Sequence, residues 1–139
     1  MRVLVDTPVW SAFLRRAAPN EDVHGTLREL IVKGECVLLG PVRQEILSGV
    51  KESKQFERLK TALSAFPDEP IRTSDYEQAA FIFNTCRAHG LQGSNTDFLV
   101  CAVSLRLSAP IFTLDRDFER FTELLGIELF EPIPKIPPK

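Results

Sequence analysis

At 139 residues the chain is long enough for one domain and too short for two ordinary ones. Hydrophobic residues at 44% and charged residues at 26% exclude disorder as the main state and fit a soluble globular domain, with no apolar run of the ~18 residues a membrane span needs. A formal net charge of −2 removes the simple basic-surface argument for nucleic acid, although a small basic rim around an acidic, metal-loaded site stays open. Arg2 and Asp6 bring charge in too early for a signal peptide. Cys36, Cys86 and Cys101 are odd in number and far apart, which argues against a disulfide framework and for a reducing cytoplasm. His24 and His89 lack the spacing of a zinc site and are expected at the surface.

In chain order, Arg2 to Val5 reads as a buried strand, and Thr7-Pro8 opens a helix through about Arg15 with Thr7 as its cap. Asp22 caps a second helix that Gly34 stops. Cys36 to Leu39 is a strand, and Gly40-Pro41 restarts a helix ending near Gly49. Phe56, Leu59, Leu63 and Phe66 mark the face of another helix, and Pro67 and Pro70 bracket a connection with a brief strand at Ile71-Arg72. Ser74 to Glu77 reads as a capping box before a helix ended by Gly90, and Gly93 keeps the next loop open. Asp97 begins a helix that is apolar nearly all round, expected to be the most buried. Ile111 to Leu114 is a strand, Asp115 starts a helix stopped by Gly126, and Ile127 to Phe130 is a last strand. Residues 1–131 form one domain; the Pro-rich stretch 132–139 is a tail that cannot extend a helix.

Strands separated by helices predict an α/β domain with a mostly parallel sheet, and short apolar strands without alternation predict cover on both faces. Function in such sheets gathers at the carboxyl ends of the strands. Asp6 follows the first strand, Asp115 and Asp117 the Ile111 strand, and Glu45 lies one turn into the helix after Cys36 to Leu39. Asp97 opens the helix that runs back before the Ile111 strand, so all these acids can meet at one edge. Each alone also reads as a helix cap or a surface charge. Clustered carboxylates repel unless a cation neutralises them, and oxygen-only ligation points to magnesium or manganese rather than zinc. Such a constellation suits phosphodiester hydrolysis.

Four segments in order carry a family resemblance: Asp6-Thr7-Pro8-Val9-Trp10, Glu45 within Val42 to Gly49, Thr96-Asp97-Phe98-Leu99-Val100-Cys101-Ala102, and Thr113-Leu114-Asp115-Arg116-Asp117-Phe118. Together they resemble the PIN-domain ribonucleases, and the length is that of the stand-alone VapC-type toxins of prokaryotes. Val100-Cys101-Ala102 stands where Ile-Ala-Ala is more usual, a packing change away from the acids. The resemblance implies a PIN-like α/β fold with a parallel sheet of four or five short strands and helices on both faces. It implies a ribonuclease dependent on Mg2+ or Mn2+, with Asp6, Glu45, Asp97 and Asp115 as catalytic, metal-binding acids and Asp117 as an auxiliary ligand or an acid behind the ligands, although Asp117 reads equally as a first-turn helix charge. Thr113 would orient a ligand through its hydroxyl, or simply be a strand residue.

Single-stranded or structured RNA as substrate, a cognate antitoxin and a homodimer are implied in the same way. Arg15, Arg16, Arg43, Lys51 and Arg116 are candidates for holding RNA; Val9, Phe13 and Leu14 are candidates for antitoxin docking, although core burial competes. Trp10 could stack on a base or pack inside. Two rivals remain. A receiver-type phosphoacceptor domain would want paired acids after its first strand and a lysine after its last, whereas Thr7 follows Asp6 and Lys135 lies in the tail. A catalytically inactive PIN-like binding module would keep the fold and act through partners alone.

Overall fold

The computed structural model describes residues 1–14 and 21–131. The expected helix end at Arg15, the candidates Arg15 and Arg16, and the 132–139 tail lie outside these described residues. The frame is a parallel sheet of three short strands, β1 (Val3–Val5), β2 (Cys36–Val37) and β3 (Ile111–Phe112), in the order β2-β1-β3. Val3 pairs with Cys36 and Leu4 with Val37 on one side; Leu4 pairs with Ile111 and Val5 with Phe112 on the other. Consecutive strand residues point to opposite faces. Val3, Leu4 and Val5 are 0%, 1% and 2% exposed, so both faces of the central strand are covered, as the unbroken apolar run predicts.

The expected four or five strands reduce to three plus two isolated parallel bridges among the described residues. Leu129 bridges Ile111, but the expected Ile127 to Phe130 strand goes no further, because β3 offers only two residues before Thr113 leaves the ladder. No strand forms at Ile71-Arg72; the chain instead touches the sheet edge three residues earlier, where Asp68 bridges Leu38.

Helices α1 (Thr7–Leu14), α2 (Glu21–Val32), α3 (Gly40–Leu47), α4 (Ser53–Leu63), α5 (Thr73–Ala88), α6 (Asn95–Leu107) and α7 (Asp117–Leu125) fill the intervals. Several starts shift from the sequence reading. Asp22 lies inside α2 and does not cap it. In α5 the capping acid is Asp75, which accepts from the Arg72 backbone N–H at 2.9 Å, so the box begins at Arg72 and not at Ser74. The α6 cap is Ser94: its hydroxyl accepts from the Asp97 N–H at 3.1 Å, while the Asp97 carboxylate accepts from the Ser94 N–H at 3.0 Å. Asp97 therefore sits in the first turn, and Asp115 stands two residues ahead of α7. As expected, α6 is the most buried helix: every residue from Phe98 to Ser104 is buried. His24 is half-buried, its Nε2 2.8 Å from the Ala12 carbonyl oxygen, and ties α1 to α2; it is not the free surface residue the sequence suggested.

Gly93 has a different duty from loop opening. A methyl group there would stand 2.8 Å from Cζ of Phe98 and 3.1 Å from Cζ of Phe121. The Phe98 ring is itself wedged between Phe83 and Phe121, with centroids 5.6 and 5.3 Å away. It has no room to retreat, so Gly93→Ala is expected to cost about 1–3 kcal/mol by overpacking, read as a lower urea midpoint at unchanged slope.

Candidate active site

The parallel sheet places the carboxyl ends of β1 and β3 side by side, and the two motifs that follow them are locked together by one hydroxyl. Thr113 Oγ1 donates to Asp6 Oδ2 at 2.9 Å and accepts from the Asp115 N–H at 3.0 Å. Asp115 Oδ1 in turn accepts from the Asp117 N–H at 2.9 Å. Thr113 thus ties the side chain of Asp6 to the backbone of Asp115. On the other flank Thr7 Oγ1 donates to Glu45 Oε1 at 2.7 Å. Reading Thr7 as a helix cap missed this contact, which spans 38 residues and leaves no local sequence signal. The cap of α1 is supplied by Asp6, whose carbonyl accepts from the N–H of Val9 and of Trp10.

The acids differ in environment. Asp6 is 3% exposed; Asp97 and Asp115 are half-buried; Glu45 and Asp117 are exposed. Burial pushes the Asp6 carboxyl up to about 6, against the Thr113 and Thr7 hydrogen bonds, and the charges of Asp97 and Glu45 add to the rise. Burial also raises Asp97, helped by the charges of Asp115 and Glu45 and opposed by the Ser94 cap. Asp6, Glu45, Asp97 and Asp115 therefore feel one another as like charges at one sheet edge. Among the described residues none of these four, nor Asp117, enters an ion pair.

Oxygen donors without a cationic partner have the chemistry that suits Mg2+ or Mn2+. Among the described residues, however, no three His, Cys, Asp or Glu side chains are drawn into a ready coordination shell. The expected convergence is one of shared edge and mutual repulsion, not of a preformed cage.

Other candidates are assigned elsewhere. Arg43 is engaged within the fold: its Nε donates to Asp68 at 2.8 Å, and its other nitrogens donate to the carbonyls of Leu63 and Phe66. It staples α3 to the connection after α4. Lys51 and Arg116 are exposed and enter no ion pair among the described residues. Val9 and Trp10 are fully buried, Trp10 edge-on to Phe66 at 5.0 Å, so neither is available for docking or stacking. Phe13 and Leu14 are partly buried against the core. The three cysteines are free thiols; burial raises Cys36 to about 11 and lifts Cys86 and Cys101 as well, consistent with inert packing.

No curated protein matches the chain's sequence significantly. Among solved structures, FitAcB from Neisseria gonorrhoeae superposes with a TM-score of 0.75 at 23% identity, covering 94% of this chain and 97% of that one. VapBC2 from Rickettsia felis, solved bound to a DNA fragment from its promoter, gives 0.75 at 17% identity, covering 94% and 98%. A toxin–antitoxin complex from Klebsiella pneumoniae gives 0.65 at 16% identity, again covering 94% and 98%. These similarities concern the fold, at 94% coverage of this chain in each case. The PIN domain family model matches residues 3–124, which take in all five acids and both threonines. The chain belongs to the PIN-domain family.

Proposed function

We propose that this chain is a metal-dependent endoribonuclease and the toxin of a toxin–antitoxin pair, with residues 1–131 as its one nuclease domain. What supports the reading is the like-charge coupling among Asp6, Glu45, Asp97 and Asp115, which have no basic partners among the described residues, in a PIN-domain chain. These four acids would hold Mg2+ or Mn2+, with Asp117 as an additional donor. When bound, the ion supplies Lewis acidity and lowers the pKa of a water for attack on the phosphodiester. Thr113 keeps Asp6 and the Asp115 backbone in one frame, and Thr7 fixes the rotamer of exposed Glu45. Burial of Asp6 strengthens its attraction for a cation, because charges interact more strongly away from water.

The substrate would be RNA, single-stranded or structured, held by bound metal and by local cations such as Lys51 and Arg116. The cognate antitoxin would inhibit by placing an arginine among the unpaired carboxylates, where its planar fork can bridge two of them. Rising Mg2+ would weaken that inhibition. A homodimer and a cytoplasmic setting complete the reading; among the described residues, no helix is long and apolar enough to cross a membrane.

The test is RNA cleavage by purified protein in Mg2+, Mn2+ and EDTA. Cleavage with either ion and none in EDTA is expected. RNA binding without cleavage at any metal concentration means an inactive binding module instead. Log affinity for single-stranded RNA should fall with log salt by roughly 0.7 per phosphate neutralised, and Arg116→Ala should reduce the slope by about that amount. An unchanged slope removes Arg116 from the RNA path.

A further inference from the structure

Between α5 and α6 lies a cavity of about 480 Å3. Tyr76, Phe83 and Asn84 line it from α5, Asn95 and Thr96 from the start of α6, and Pro41 from the start of α3. Asn95 and Thr96 directly precede Asp97, and Pro41 lies one helical turn before Glu45. Residues one to four positions from two of the acids thus line the cavity, and no charged side chain does. Tyr76 is 56% exposed and presents its ring to solvent. The Tyr76 hydroxyl and the Asn84 and Asn95 amides make no hydrogen bond among the described residues, and both amides are exposed.

A flat ring beside two free carboxamides in a neutral wall fits a particular chemistry. A nucleobase is planar and uncharged, stacks on aromatic faces, and carries donors and acceptors on its edge. An RNA strand alternates such bases with phosphates, so a phosphate drawn to metal at the acids carries a base toward this neighbouring wall. An arginine-bearing peptide would favour the carboxylates over an uncharged cavity. An apolar helix would cover the Asn84 and Asn95 amides without pairing them, at a desolvation cost.

We propose that this cavity receives one unstacked nucleobase next to the cleaved phosphodiester, with Tyr76 as the stacking platform and Asn84 and Asn95 reading the base edge. RNA as the ligand rests on the nuclease reading above. The cavity makes the enzyme selective for the base at a single position, while the acids act on any phosphodiester.

The test scans a short oligoribonucleotide, made abasic at one position at a time, for cleavage in Mg2+ and for binding in EDTA. In the wild type one position beside the cut should matter most. Tyr76→Ala should raise KM about ten-fold or more on intact RNA, Tyr76→Phe should stay near wild type, and neither should matter on RNA abasic at that position. Asn95→Ala should relax base preference there. If Tyr76→Ala and Asn95→Ala cleave with unchanged KM and preference, the base site is wrong and the nuclease reading stands. If the wild type never cleaves but binding still requires one particular base, the nuclease reading falls and the base site stands. If Tyr76→Ala only splits a dimer and leaves base preference intact, a second copy covers this face and the proposal is overturned.

Discussion

Asp6→Asn should abolish RNA cleavage while raising the stability of the metal-free protein at neutral pH. Both effects follow from one buried carboxylate. Asp6 titrates near 6 in the folded chain against 3.8 for the free side chain, so folding favours its protonated form. The native state keeps a proton that the unfolded chain releases between these values. Asp6 therefore costs nothing below about pH 4, and its penalty grows as pH rises to 6 and stays above it. A gap of this size corresponds to roughly 3 kcal/mol, and Asp97, raised in the same direction, adds to the slope. Asparagine has the same shape and still accepts from Thr113 through its side-chain carbonyl, but it carries no charge. The variant should melt roughly 5 °C or more above the wild type at pH 7.5 without metal, and the difference should shrink toward pH 4.5. Adding Mg2+ should stabilise the wild type and not the variant, because ligand binding to the native state alone raises the melting point. A variant that cleaves at the wild-type rate, or melts lower at pH 7.5, contradicts this account of Asp6.

Arg106→Leu is expected to be the most damaging substitution far from the acids. Arg106 Nε donates to both carboxylate oxygens of Asp75, at 2.8 and 3.1 Å, and Nη2 donates to the Pro70 carbonyl at 3.1 Å. One guanidinium thereby joins the end of α6, the start of α5 and the connection before it. The Asp75 side chain is 3% exposed and that of Arg106 19%. Burial alone would raise the Asp75 carboxyl, but the Arg106 and Arg72 hydrogen bonds outweigh it and hold it below its ordinary value. Leucine at 106 would leave a buried charge without its partner, at about 3–5 kcal/mol. Asp75→Asn should cost less, because Arg106 can reach water and asparagine still accepts from the Arg72 N–H. A lowered carboxyl stabilises the fold above its unfolded value and loses that contribution as pH falls through its folded value. The Arg106→Leu deficit should therefore narrow in acid, opposite to the trend set by Asp6. Equal urea midpoints for the two variants would break this argument.

The Asp75–Arg106 pair also marks where local sequence stops being informative. Asp75 stands inside the box read from Ser74 to Glu77, but its own capping role is not legible there, and its partner lies 31 residues away where no periodicity points to it. The same holds for Thr7, whose hydroxyl finds Glu45 across 38 residues, and for Arg43, which is spent on the carbonyls of Leu63 and Phe66. What was legible had short-range causes. The apolar run Val3 to Val5 ending in Asp6 gave the central strand, and the all-apolar face of α6 gave the most buried helix. Ser94, three residues before Asp97, is itself a local capping signal, so this helix start is legible one turn ahead of the acid. Strand ends were legible only in part, because ladder length depends on both partners. Ile127 to Phe130 has the composition of a strand, but β3 stops at Phe112 so that Thr113 can bond Asp6. The placement of the acids at one edge followed from topology alone: parallel strands end on the same side, and a helix before a strand starts there.

Divalent-ion binding to the metal-free protein tests the central claim most directly. Calorimetric titration with Mn2+ should show saturable binding in the wild type that falls at least ten-fold in Asp6→Asn and in Asp97→Asn, with Thr113→Val, which unfastens Asp6 from Asp115, weakened to a lesser degree. Mn2+ affinity that is the same in the wild type, Asp6→Asn and Asp97→Asn would mean that these acids do not form the metal site.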